Sequence, residues 1–205
     1  MKTDQSLAEL NDGIFFLDEE LYYVTIMGGK YEGNAVLQDE QAAGLAMMAS
    51  LTAEQQAQAT LSDRKSGKDI NAEANQDNLV LDYAGVPAAR FNADQKAQLL
   101  DLVGLFVGNM REGHAAVKME EVEEHLDETW FAWVGEVSDD AVFYYRIHSP
   151  VVLIEFDHQN PVGTSSINER GVPTRDHIHT VIRTPNGNDY GKDLLGQHLA
   201  EHSHD

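Results

Sequence analysis

The residues best placed to do chemistry are His177 and His179, on either side of Ile178 in a run from His177 to Thr184 rich in β-branched residues. Such a run reads as a strand, and side chains two apart on a strand leave the same face with Cα atoms about 6–7 Å apart. Two imidazoles so placed can ligate one ion. Glu155 and Asp157 repeat the spacing in the preceding strand-like run, Val151 to Asp157. If the two strands pair, carboxylates meet imidazoles across the ladder in a mixed nitrogen and oxygen site. With a coordination position open, that donor set suits zinc or non-haem iron, and copper is compatible with it. His198, on a helix expected over residues 190–200, offers a third imidazole. Asp193, five residues before it, can orient a ligand from behind. Arg183, on the same strand face as the histidines, and Arg146 can clamp an anionic substrate. Glu155 or Asp157 then serves as ligand or general base.

The same residues have plainer readings. A lone H-x-H pair also arises from histidines held by ordinary hydrogen bonds, and Glu155 and Asp157 can be surface charges or ion-pair partners of Arg146 and Arg183. Three classes of function therefore stay open. One is a metal-dependent enzyme, hydrolytic or redox, and the second a metal-free module for a small anionic ligand. The third is a structural or interaction protein whose polar cluster ties the last helix to the sheet. Familiar templates do not choose among them. A cupin places a glutamate shortly after H-x-H, where Arg183 and Thr184 stand, and a histidine-triad hydrolase needs a third alternating histidine, where Val181 stands. There is no G-x-S-x-G, no P-loop and no dinucleotide fingerprint.

Composition narrows the partners. The 205 residues carry 14 Lys and Arg against 35 Asp and Glu, a formal charge of −21. No cationic footprint exists to displace counterions from nucleic acid, and anionic lipid surfaces are disfavoured as well. The chain has no cysteine, so disulfides, thiolate catalysis, zinc ribbons and iron–sulfur clusters are excluded. Any metal must be held by imidazole or oxygen. Hydrophobic residues make up 42% of the chain, enough for a packed core. No apolar run approaches the roughly 18–20 residues that span a bilayer, and Met1 to Gly13 is acidic and unlike a secretory signal. The sequence thus predicts a soluble, unexported chain, cytoplasmic by default.

Elements must position these groups. Leu21 to Met27 reads as a strand ended by Gly28-Gly29, and Gln38 to Ala49 as a helix. Thr52-Ala53-Glu54-Gln55 resembles a capping box opening a helix to about Leu61. Ser62 to Asn78 is a polar loop, read as a plain insertion. Asn92 to Gln95 starts another helix, with Leu99, Val103 and Phe106 on its apolar face. Met119 to Leu126 suits a short acidic helix. Thr129 to Val137 and Val142 to His148 form a hairpin across Ser138-Asp139-Asp140. One of its aromatic sets must be core. The other can line a ligand pocket, with Trp133 and Tyr145 as candidates beside Arg146. Helices over 38–126 followed by strands over 129–184 predict one α+β domain covering 1–205. Its antiparallel sheet has four to six strands, with helices on one face.

The motifs Glu128-Thr129-Trp130-Phe131-Ala132-Trp133, Phe143-Tyr144-Tyr145-Arg146-Ile147, Ile154-Glu155-Phe156-Asp157, His177-Ile178-His179-Thr180, Arg183-Thr184-Pro185 and Asn188-Asp189-Tyr190-Gly191-Lys192-Asp193-Leu194-Leu195, then His198, occur in that order. They resemble the C-terminal half of the domain-of-unknown-function 3500 family of bacteria. The resemblance brings no established reaction. It implies a grouping of Tyr145, Arg146, Glu155, Asp157, His177, His179, Arg183, Asp189, Gly191, Asp193 and His198, which adds Asp189 to Asp193 behind the site. It also implies relatives that are commonly longer, many with export signals, so this chain is expected to be a short homologue or a portion.

Overall fold

The computed structural model describes residues 17–21 (backbone only), 36–72, 79–162 and 168–185. In chain order its elements are β1 (Leu17–Leu21), α1 (Gln38–Ser50), α2 (Ala53–Ala59), β2 (Thr60–Ser62), β3 (Val86–Pro87), α3 (Ala93–Val107), α4 (Glu112–Glu124), β4 (Trp130–Gly135), β5 (Phe143–His148), β6 (Leu153–His158) and β7 (Ile178–Arg183). The strands run β1-β7-β6-β5-β4-β2 across one sheet, with the two-residue β3 also on β4. Pairing is antiparallel except between β2 and β4. The domain is α+β as its sequence predicts, and the parallel pair is the departure. It arises because α2 stops at Ala59, two residues short of the expected end, and Thr60–Ser62 continues as an edge strand beside Trp133 and Val134. The strand expected over Leu21 to Met27 meets the described residues only at Leu21, the last residue of β1; its remainder and the helix expected over 190–200 lie outside them.

Helix starts follow local chemistry. Thr52 and Asn92 each cap a helix while Gln55 and Gln95 return the bond to the cap amide, two complete capping boxes. The same two glutamines are buried and bond each other, Gln95 Nε2 donating to Gln55 Oε1 at 3.0 Å. One pair of residues therefore both starts two helices and ties them together. The acidic helix α4 is longer than its sequence suggests, beginning at Glu112 rather than near Met119.

Strand alternation divides the sheet into two unlike faces. Phe131, Trp133, Phe143, Tyr145, Ile147, Ile154, Phe156, Ile178 and Ile182 point at the helices. They pack against Met47 and Met48 of α1, Leu99, Leu102, Val103, Phe106 and Val107 of α3, and Val122 of α4. Aromatic rings stack along this face, Tyr145 on Phe156 at 5.0 Å and Trp133 on Phe143 at 4.5 Å. Gly44 lets α1 lie directly on Tyr145, for a Cβ there would stand 2.2 Å from Tyr145 Cε1. The ring is locked in its stack and its hydroxyl donates to the Glu40 carbonyl at 3.0 Å. Gly44→Ala should therefore lower thermal stability. Overpacking costs about 1–3 kcal/mol against a helix-propensity gain of at most about 1 kcal/mol. A thermal melt of the variant checks it.

A buried histidine closes the helix-facing side. His158 accepts from the Phe143 amide through Nδ1 (2.9 Å), and its Nε2–H donates to Gln41 Oε1 (2.7 Å). Burial, with Arg175 and Lys65 nearby, pushes its pKa down to about 3. The unfolded chain, with His158 near 6.5, then binds the extra proton first. Stability from this group is complete above about 6.5 and falls as the pH drops toward 3. Urea unfolding at stepped pH should show that slope, and His158→Gln should flatten it.

The opposite face, which carries His179, Val181 and Arg183, is covered. Residues 62–72 and 79–83 lie across it as a further layer, and Ile70 and Ala72, with Leu79 and Leu81, make a small apolar cluster with Leu153 and Val181. Residues 62–72 of the stretch read as a plain insertion cover the polar face.

Candidate functional site

On this covered face the registers place Tyr144, Asp157 and His179 in one row, Arg146, Glu155 and Val181 in the next, and His148, Leu153 and Arg183 in the third. The sequence puts His179 and Arg183 on one strand face and Glu155 and Asp157 on another that meets it if the strands pair. β6 and β7 do pair, and Arg146 joins the same side as the register partner of Glu155. The structure places Trp133 and Tyr145 on the other side, inside the aromatic core and fully buried. They are core residues there, on the face away from Arg146, because odd positions of β4 and β5 point to the helices. His198, Asp189 and Asp193 lie outside the described residues.

The two carboxylates are both fully buried, and their oxygens are committed to the covering segment. Asp157 Oδ2 accepts from the amides of Asp69 (2.9 Å) and Ile70 (3.2 Å) and from Gln159 Nε2 (2.9 Å), while Lys65 Nζ stands 2.8 Å from Oδ1. Glu155 accepts from the Ala72 amide (2.7 Å), the Asn71 amide and side chain, and the Tyr144 hydroxyl (2.5 Å). Burial and the neighbouring Glu155 charge raise the Tyr144 pKa well above 10, so its hydroxyl keeps the proton it donates. Lys65 also pairs with Asp69 at 2.6 Å. Partial burial pushes the Asp69 carboxyl up, but hydrogen bonds from Lys65 and Ser66 outweigh it and hold the pKa below the usual value. Glu155 and Asp157 thus act as two clamps on residues 65–72. Their place beside the histidines in the ladder reflects register and does not free them as ligands or bases.

The histidine pair behaves differently. His177 is buried, and its Nδ1 lies 2.5 Å from the Asn160 carbonyl, which accepts the Nδ1–H. That fixes the tautomer and turns the Nε2 lone pair toward His179. The two Nε2 atoms are 3.1 Å apart, the rings inclined at 70°. On the other side of β7, Glu20 of β1 is the register partner of His179. Two imidazoles on one tetrahedral zinc have nitrogens about 3.3 Å apart, from Zn–N bonds of about 2.0–2.1 Å. Among the described residues no group of three or more His, Asp and Glu converges as a metal centre.

At the far end of the face sits a group that sequence reasoning passed over. His148 is 1% exposed, and neither ring nitrogen has a hydrogen-bond partner among the described residues. Tyr83 covers its ring at 4.5 Å and stacks in turn beside Trp130. Burial and the adjacent Arg146 lower the His148 pKa to about 4, so the ring is neutral at pH 7. Arg146 is 6% exposed and gives one hydrogen bond, Nη2 to the Asp82 carbonyl at 3.3 Å, while its Nε is buried without a partner. The signal was present, since Arg146-Ile147-His148 has the same alternation as His177-Ile178-His179. A separate groove of about 430 Å³ at the β4–β5 hairpin is lined by Arg64, Lys65, Glu136 and Asp140 among others. It contains none of the predicted site residues.

An α+β domain whose sheet carries helices on one face and a clamped polar cover on the other is the class that these observations define. The chain matches the family described as Protein of unknown function (DUF3500) over residues 20–192 and belongs to it. No curated protein and no solved structure matches. No described helix is long and apolar enough to cross a membrane.

Proposed function

We propose that the protein binds a divalent transition metal ion through Nε2 of His177 and His179. The observation that carries this reading is the 3.1 Å approach of the two Nε2 atoms, with His177 held from behind by the Asn160 carbonyl. A backbone carbonyl behind a ligating imidazole is the usual way its free lone pair is aimed at a metal. Without metal the same contact is a hydrogen bond from His179 Nε2–H to His177 Nε2. Binding then requires that His179 carry its proton on Nδ1 and that the two rings turn until both Nε2 lone pairs meet at one point. The remaining coordination positions go to water, substrate or a residue outside the described ones, His198 being the sequence's candidate. With zinc an open position generates hydroxide for hydrolysis, and with iron or copper it takes part in redox chemistry.

Cobalt(II) titration of the untagged protein tests it. A saturable visible band at one cobalt per chain, displaced by zinc and lost in His179→Ala, supports the site. Absence of any saturable band from the folded wild type contradicts it.

A further inference from the structure

Arg146 and His148 are two residues apart on β5 and so share the covered face, with Trp130 the register partner of His148. Each has buried nitrogen left without a partner, Nε on Arg146 and both ring nitrogens on His148. Buried polar groups are ordinarily satisfied, and a buried guanidinium N–H left unbonded is a costly exception. Its register partner Glu155 does not answer it, because that carboxylate is engaged with Asn71, Ala72 and Tyr144. Three buried nitrogens without a described partner, two positions apart on one sheet face, therefore point to an occupant. We propose that Arg146 and His148 form a binding site for a small monocarboxylate.

The class follows from charge and shape. A guanidinium edge presents two parallel N–H groups that match the two oxygens of a carboxylate. His148, neutral at pH 7, adds one N–H and no charge. The buried Glu155 charge already faces the guanidinium across the ladder, so a singly charged carboxylate is tolerated better than a phosphate dianion. The rings of Tyr83 and Trp130 offer an apolar wall for the ligand's carbon chain, and Tyr83, 43% exposed, marks the solvent side. His148 lies two rows from His179 on this face, so this site stands or falls apart from the metal site.

Calorimetric titration of the full chain with propionate, and separately with inorganic phosphate, in carboxylate-free buffer tests the proposal. One propionate per chain is expected, bound at least about tenfold more tightly than phosphate. Arg146→Lys, which keeps the charge and loses the fork, should weaken it by about tenfold or more. Tyr83→Ala, at a half-exposed position, should weaken it several-fold and guards against misfolding of the arginine variant. The proton resonances of the His148 ring, assigned by their loss in His148→Gln, should shift on saturation. No binding by the folded wild type, a preference for phosphate, or binding indifferent to both Arg146→Lys and Tyr83→Ala would overturn the proposal, leaving nitrogens that water alone satisfies.

Discussion

Asp157→Ala and Glu155→Ala are each expected to lower the free energy of unfolding by about 3–5 kcal/mol, the usual cost of removing one side of a buried charged network. Removing Asp157 leaves the Asp69 and Ile70 amides and Gln159 Nε2 without an acceptor, and takes one of two carboxylates from Lys65, whose side chain is only 4% exposed. Removing Glu155 does the same to the Asn71 and Ala72 amides and to the Tyr144 hydroxyl. Each loss is a large share of the roughly 5–15 kcal/mol that stabilises a domain. The first element to leave should be the cover, because residues 65–72 cross the polar face through these carboxylates and one small apolar cluster. Limited proteolysis should then cut within 63–72 before the sheet unfolds. The double variant should lose less than the sum of the two, since both residues hold one segment. Near-neutral single variants would mean that the cover is held by something else.

The second large effect concerns the metal. A ligand that binds only the folded state adds RT ln(1 + [L]/Kd), about 2.7 kcal/mol at one hundred times Kd. Zinc at that excess should stabilise the wild type by this amount, and His177→Ala or His179→Ala should abolish the increment. Asn160 acts through its backbone, so no side-chain substitution there removes the carbonyl. The loss on removing either imidazole should exceed the roughly 10–100-fold that an outer partner of a ligand is worth. Zinc stabilisation that persists in both variants would place the ion elsewhere.

Much of this architecture is written locally. The capping boxes at Thr52 and Asn92, the hairpin around Ser138-Asp139-Asp140 and the alternation of β5 to β7 are patterns of neighbours, and they appear where the sequence puts them. The shared face of His177 and His179 is legible for the same reason. What partners a strand face is not local. Nothing in Glu155-Phe156-Asp157 announces that backbone amides more than eighty residues earlier will occupy both carboxylates. Nor does a polar stretch such as 62–72 reveal that Ile70 and Ala72 are its anchors. Trp133 and Tyr145 were candidates for a pocket because alternation leaves open which aromatic set faces inward. The apolar stripes of α1 and α3 decide it by covering that side. His148 went unremarked because its peculiarity, two buried nitrogens with no partner, exists only once Tyr83 folds over it.

The central claim is that two imidazoles, and not the carboxylates beside them in the ladder, hold a metal ion. Elemental analysis of untagged protein, loaded with zinc, iron or copper and then desalted, tests it most directly. The wild type and Glu155→Gln should retain one ion per chain, and the His177→Ala/His179→Ala double variant none. No ion retained by the wild type with any of the three metals, or equal retention by the double variant, contradicts the account.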